Sequence, residues 1–223
     1  MLKIENFEVT GWEAAIRGMR NPKNSWEKSD SQTCANCNGC LPGQECERYK
    51  NGTFIGPNDL DLMTRLRNAG TDHRKFMRMI IVYLDITAPL YYWKEFDTYK
   101  VGTVANSCST MHKIADKEFT LEDFSCEHLQ NSWLAHLKET IRLLNEARDA
   151  YNWCNTDAKK EWWWQMIQLL PSSYNQKRTV MLNYEVLANI YKSRRNHKLD
   201  EWHTLCDWIE GLPYSELITG EKK

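Results

Sequence analysis

Apolar positions along this chain fall into runs with two different periods, and their order predicts a mixed α+β domain. Residues 2–9 read as a short strand, and Trp12 to Met19 as a short helix that Asn21-Pro22 stops. Asn58 is placed to cap a helix containing Leu60, Leu62, Met63 and Leu66 that ends at Gly70. After a second capped turn at Thr71-Asp72, Met79 to Thr87 is β-branched and aromatic, with Ile80, Val82, Leu84 and Ile86 on one face, which predicts a strand closed by Pro89. Leu90 to Phe96 follows as a short aromatic helix. Thr120 with Asp123 three residues later marks a helix start, and the long amphipathic helix beyond it carries Leu129, Trp133, Leu137, Ile141, Leu144 and Tyr151 on one side. A further helix runs from about Lys159 through Trp162-Trp163-Trp164 to Leu170, stopped by Pro171. A polar helix at 183–197 and a last one from Leu199 to Glu210 complete a single α+β domain over 1–223, with a mixed sheet and several long helices.

The polar helix is the most informative segment. Leu182, Val186, Leu187, Ile190 and Tyr191 recur at helical spacing and predict a core face. Asn183 and Arg194 then fall on one stripe three turns apart, about 16 Å at the rise of an α-helix. That separation suits a long ligand or two ligands side by side. The alternative is a surface helix whose Lys192, Arg194 and Arg195 complement its C-terminal dipole. The second polar segment, Asp97 to Thr110, crowds hydroxyl and amide side chains together, either to satisfy its own turns or to grip a polar ligand.

Charge adds an exclusion. With 29 Lys plus Arg against 30 Asp plus Glu, no overall field favours nucleic acid or an anionic membrane. The N-terminus has no basic stretch followed by an apolar run, and no segment approaches ~18 consecutive apolar residues, so the expectation is a soluble, cytoplasmic protein. Ten tryptophans and ten tyrosines suit a packed core or stacking surfaces for flat ligands. From 24 to 57 the composition shifts to Ser, Asp, Asn, Gly and Cys, a long loop or an insertion. It holds Cys34, Cys37, Cys40 and Cys46, whose spacing can present thiolates to one tetrahedral centre, either zinc or an iron–sulfur cluster; reduced thiols and disulfides are the other readings. Cys108, Cys126, Cys154 and Cys206 are scattered and read as buried apolar residues. His73, His112, His128, His136 and His203 show no hydrolase spacing.

Several stretches taken in order resemble the flavin-dependent thymidylate synthase family. Asp59 to Gly70 resembles the helix before that family's first strand, and Ala88-Pro89-Leu90 the strand end before its signature loop. Thr98-Tyr99-Lys100 stands where the family has Arg-His-Arg, followed by Thr103, Asn106 and Ser109. Leu169-Leu170-Pro171 is similar to the family's Val-Leu-Pro turn, and Asn183, Leu187, Asn189, Arg194 and His197 follow the spacing of its Asn, Leu, Asn, Arg and His helix.

The resemblance implies a homotetramer whose ligand sites are built from several subunits. It implies FAD, with NADPH and methylenetetrahydrofolate as cosubstrates, and one-carbon transfer to a pyrimidine deoxynucleotide. It assigns Asn183, Asn189, Lys100 and His197 to the flavin, Arg194 to the pyrimidine as the catalytic group, and Ser109 and Asn106 to the nucleotide. Thr98 and Met111 occupy places where the family has arginine, Glu185 a place where a flavin-contacting arginine is common, and Glu95 that of a glutamine associated with the nucleotide. These departures leave two alternatives: a divergent nucleotide- or flavin-binding protein that does not methylate dUMP, and a metal-stabilised interaction protein working through its cysteine loop.

Overall fold

The computed structural model describes residues 2–33 and 53–220, so Cys34, Cys37, Cys40 and Cys46 lie outside the described residues. In chain order the elements are β1 (Lys3–Thr10), α1 (Trp12–Arg20), β2 (Gln32–Thr33), β3 (Thr53–Phe54), α2 (Pro57–Asn68), β4 (Ile81–Pro89), α3 (Leu90–Phe96), β5 (Val104–Ser107), α4 (Thr110–Lys113), α5 (Asn131–Trp153), α6 (Lys159–Leu169), β6 (Asn175–Asn183), α7 (Tyr184–Arg194), α8 (Asp200–Glu210) and α9 (Glu216–Thr219). The fold class is α+β, as the periodicity predicts. One sheet has the strand order β1-β4-β6-β5, and β2 pairs antiparallel with β3, Gln32 opposite Phe54. Val82, Leu84 and Ile86 of β4, and Ile80 just before it, are all buried, which is the one-faced alternation expected of that strand.

The chain divides into two compact units. The first comprises Met1–Glu5, Asp85–Thr98 and Ala105–Thr179; the second comprises Asn6–Leu84, Tyr99–Val104 and Val180–Lys223.

In the first unit α5 and α6 pack through Leu137, Ile141, Leu144, Ala147 and Met166, with Ile114, Ala115, Phe119 and Phe124 completing the cluster. Asn145 ties the 119 segment to α5, accepting from Phe119 N at 2.8 Å and donating to its carbonyl at 2.9 Å. Thr120 and Asp123 do form a capping box, but it closes only the 3-10 turn Leu121–Asp123. The chain then extends to bridge Phe124 with Tyr174, and α5 starts later than the box suggests. Leu129 and Trp133 accordingly lie off the buried side, Trp133 being 71% exposed. The polar segment after α3 contains the strand β5, which its hydroxyl-rich composition conceals.

In the second unit the polar stretch after α1 is ordered by one buried carboxylate. Asp59 accepts from Arg20 Nε at 2.6 Å, from Ser29 Oγ at 2.7 Å, from Ser31 Oγ at 2.6 Å, and from the backbone N–H of Asp30 and Ser31 at 3.2 and 3.1 Å. Arg20 gives its remaining nitrogens to the carbonyls of Ser25 and Lys28. Neither charge is left unpaired, which is what makes their burial tolerable. The cap of α2 is also contributed from a distance. Asn58 is not the N-cap, because Gly56 holds that position with Pro57 as the first helical residue. The Asp30 carboxylate accepts from Asn58 N at 2.9 Å and Asp59 N at 3.1 Å. A Cβ on residue 56 would fall 2.2 Å from Asp30 Cγ, so this cap requires glycine there. Asp30→Ala is therefore expected to destabilise the protein by about 1 kcal/mol, read from a thermal melt, as losing a helix cap does. An unchanged melting temperature would mean that water serves the cap equally well.

Of the four scattered thiols Cys206 alone is buried, while Cys108 is exposed and Cys126 and Cys154 are half-buried, so the apolar-packing expectation holds for Cys206 only.

Candidate functional site

The polar helix begins one residue later than its sequence suggests. β6, with Gln176, Val180 and Leu182 buried, runs directly into it. Asn183 is the N-cap at φ −130°, ψ 168°, and its Oδ1 accepts from Val186 N at 3.0 Å. Asn183 and Arg194 therefore do not share a helical stripe, since the asparagine is extended and its carbonyl oxygen is engaged in capping. Gly102, at φ +75°, passes over that amide: a Cβ there would fall 2.7 Å from Asn183 Nδ2. Beside Gly102, the buried Thr103 Oγ1 has no hydrogen-bond partner among the described residues.

Glu185, in the first turn of α7, occupies the favourable end of the helix dipole and is buried between two arginines. Arg74 Nε donates to Oε1 at 3.1 Å, and Arg78 donates through Nε to Oε2 and through Nη2 to Oε1. Arg74 Nη2 also donates to Asn189 Oδ1 at 3.1 Å. Burial raises the Glu185 pKa, but the hydrogen bonds from Arg78 and Arg74 outweigh it and hold the carboxyl below the usual glutamate range. A depressed carboxylate stabilises the fold above its unfolded pKa, and that contribution disappears as pH falls through the folded value. Glu185→Gln is therefore expected to flatten the acid limb of the stability profile below the ordinary glutamate range, measured by denaturant titration at successive pH values. A limb of wild-type steepness would assign the loss to other carboxylates.

At the other end of α7, Arg194 Nε donates to the Tyr99 hydroxyl at 2.9 Å. Arginine has only donors, so the Tyr99 oxygen accepts, and the same hydroxyl shares a hydrogen bond with Ser193 Oγ, 2.8 Å away. Ser193 in turn donates to the Asn189 carbonyl at 2.8 Å. The Arg194 guanidinium lies 4.9 Å from the Trp202 ring centre and 5.7 Å from that of Tyr99. Those rings meet edge-on at 5.9 Å, and His197 stands edge-on to Trp202 at 6.3 Å. His197 Nδ1 accepts from Leu199 N at 3.2 Å. Arg195 points elsewhere and pairs with Asp207 and Glu210 of α8. Lys100 is exposed on the loop beside Tyr99.

The second unit also contains a cleft of about 1000 Å³ formed by α1, α2 and the 3-10 segment Arg74–Met79. Lys23, Lys28, Arg65, His73 and Lys75 line it against two carboxylates, Asp61 and Asp72. The segment from 73 to 78 thus faces the cleft through His73 and Lys75 and α7 through Arg74 and Arg78.

The remaining expected residues belong to the first unit. Asn106 is exposed on β5, and Ser109 caps α4 by accepting from His112 N at 3.2 Å. Thr98 and Met111 carry no charge to replace the missing arginines. The Thr98 hydroxyl donates to the Glu95 carbonyl, and the Met111 carbonyl accepts from Trp163 Nε1. No group of three or more His, Cys, Asp or Glu suited to a metal exists among the described residues. No helix among them is long and apolar enough to cross a membrane.

Tyr99, Trp202, Arg74 and Arg78 are absent from the sequence-derived set. A buried carboxylate needs a partner, but Arg74 and Arg78 stand 111 and 107 residues before Glu185, and no spacing in the sequence joins them to it.

No family model and no curated protein matches this sequence. Solved structures do match it. Thymidylate synthase X (ThyX) from Helicobacter pylori with FAD and dUMP aligns with a TM-score of 0.64 at 16% identity, over 99% of this chain and 98% of that one. A second structure, the flavin-dependent thymidylate synthase ThyX from Helicobacter pylori complexed with FAD and dUMP, aligns with the same TM-score and identity over 100% and 99%. The chain has a ThyX-like fold.

Proposed function

We propose that this chain is a flavoprotein that transfers a one-carbon unit to a pyrimidine deoxynucleotide, working as a homotetramer with FAD and with NADPH and methylenetetrahydrofolate as cosubstrates. The observation that carries the reading is Arg194, whose guanidinium is held over Trp202 and bonded to Tyr99 at the end of α7. The ThyX structures of like fold contain FAD and dUMP, which supports the same ligand classes here.

The residues fit FAD in two respects. Lys23, Lys28 and Lys75 line a cleft of about 1000 Å³ and suit the pyrophosphate of a dinucleotide. Asn189 offers an amide to the edge of a flavin ring, where carbonyl and N–H groups alternate. Bound and reduced, the flavin supplies hydride, which no side chain of this protein can.

The protein's own part is to bind and orient. Arg194 offers paired donors that polarise a pyrimidine carbonyl, while Tyr99 and Trp202 fix its plane. Lys100 pairs with a phosphate as a point charge, and His197, edge-on to Trp202, completes the flavin side of the site. Asn183 acts at one remove, by holding the start of α7. Ser109 and Asn106 position the nucleotide, Ser109 while also capping α4. Any metal at Cys34, Cys37, Cys40 and Cys46 serves structure.

A second reading, nucleotide and flavin binding without methylation of dUMP, is favoured by Glu185, which puts a carboxylate where the family has a flavin-contacting arginine. The experiment is turnover of dUMP by the FAD-loaded protein with methylenetetrahydrofolate and NADPH. Formation of dTMP supports the first reading, and flavin and nucleotide binding without product supports the second. A colourless protein with stoichiometric zinc and no affinity for either ligand contradicts both.

A further inference from the structure

Asn189 projects from the exposed side of α7, yet its amide is not free to turn. Arg74 Nη2 lies 3.1 Å from one terminal atom of that amide. A guanidinium has only donors to offer, so that atom must be the carbonyl oxygen. The amide nitrogen therefore faces away from Arg74 with both of its hydrogens. Arg74 is itself anchored: its Nε donates to Glu185 Oε1 at 3.1 Å, Glu185 is shared with Arg78, and the Arg74 side chain is only 20% exposed. The Asn189 main chain is fixed as well, because its carbonyl accepts from Ser193 Oγ at 2.8 Å.

We propose that Arg74 is a positioning residue that presents Asn189 to the ligand as a hydrogen-bond donor, so that this point of the site reads an acceptor atom and rejects an N–H. The inference rests on the flavin reading and narrows it. Of the groups along an isoalloxazine edge, the carbonyl oxygens and the unprotonated ring nitrogens satisfy Asn189, and the ring N–H does not. Arg74 need not touch the ligand for this. An amide free to rotate presents either face, whereas one locked by a cation presents its nitrogen alone. Glu185 then acquires a purpose in its unusual place, since it holds Arg74 against Asn189.

The test is a titration of the full chain with FAD, followed by flavin fluorescence, on wild type and three variants, each with a thermal melt. Arg74→Met is expected to raise the FAD Kd about tenfold, the worth of one oriented hydrogen bond. Arg78→Met removes the same charge from Glu185 without touching Asn189, and is expected to raise Kd less than about threefold, as loss of a surface ion pair would. Asn189→Asp keeps an acceptor towards Arg74 and so melts at or above the wild-type temperature. It presents no donor to the ligand, and its Kd rises at least about tenfold. Asn189→Asp keeps the test decisive even where Arg74→Met fails to fold. Equal weakening by Arg74→Met and Arg78→Met, or wild-type affinity in Asn189→Asp, overturns the positioning role while leaving the flavin reading in place. A wild type that binds no FAD overturns the flavin reading and this inference with it.

Discussion

Asp59→Ala is expected to destabilise the protein by about 3–5 kcal/mol, the usual consequence of removing one partner of a buried ion pair. For a chain of this length that is a fall of roughly 10 °C in melting temperature. The effect is large because the loss is not confined to one bond. Arg20, only 5% exposed in its side chain, keeps its charge and loses its acceptor. The hydroxyls of Ser29 and Ser31 and two backbone N–H groups lose theirs as well. The pair is a means of positioning rather than a source of net stability, so Arg20→Met with Asp59→Leu should be much less damaging than either single change. Burial raises the Asp59 pKa, but hydrogen bonds from Ser31, Ser29 and Arg20 hold the carboxyl below the usual aspartate range. Its contribution is therefore complete above the unfolded aspartate pKa and is lost as pH falls through the depressed value. Denaturant unfolding of both single variants and the double variant measures this. Additive losses in the double variant would contradict a coupled pair.

The second large effect is expected at Arg194. Arg194→Lys preserves charge but removes the planar fork and the Nε–H bond to Tyr99. Nucleotide affinity should fall by roughly 1.5–3 kcal/mol, the worth of a hydrogen bond to a charged group. Folding should be nearly unchanged, because a lysine stem covers much the same ring surface. Arg195→Lys is the control. Arg195 pairs with Asp207 and Glu210 near the surface, so its replacement should leave affinity within a few tenths of a kcal/mol. Calorimetric titration with dUMP, then with other pyrimidine nucleotides, separates the cases. Equal losses in the two variants would indicate a diffuse basic patch, and no loss in either would return this helix end to dipole complementation.

Elements whose cause is local were legible in the sequence. Ile80, Val82, Leu84 and Ile86 announce a one-faced strand, and Pro171 stops α6 as a proline must. Where a local signal competes with a distant one, reading failed in a consistent direction. Thr120 and Asp123 specify a single turn and carry no information on how far the helix continues. Asn58 has the chemistry of a cap, but Asp30, 28 residues away, supplies it. β6 displays a two-residue alternation at Gln176, Val180 and Leu182, yet its Lys, Arg and Thr obscured it, and Asn183 was absorbed into the helix it caps. For the site, the sequence points to α7 through the amides and arginines that it carries. The partners that orient it are Tyr99, Trp202 and Arg74, which lie far from it along the chain or beyond its end, and sequence spacing does not show that they meet.

Whether this ThyX-like fold serves a flavin is decided by titrating the purified full chain with FAD, followed by absorption and fluorescence, and then adding dUMP to the saturated protein. Saturable binding is expected, with the flavin spectrum perturbed again when the nucleotide enters. A folded protein that leaves the FAD spectrum and fluorescence unchanged at every concentration, with or without dUMP, would contradict it.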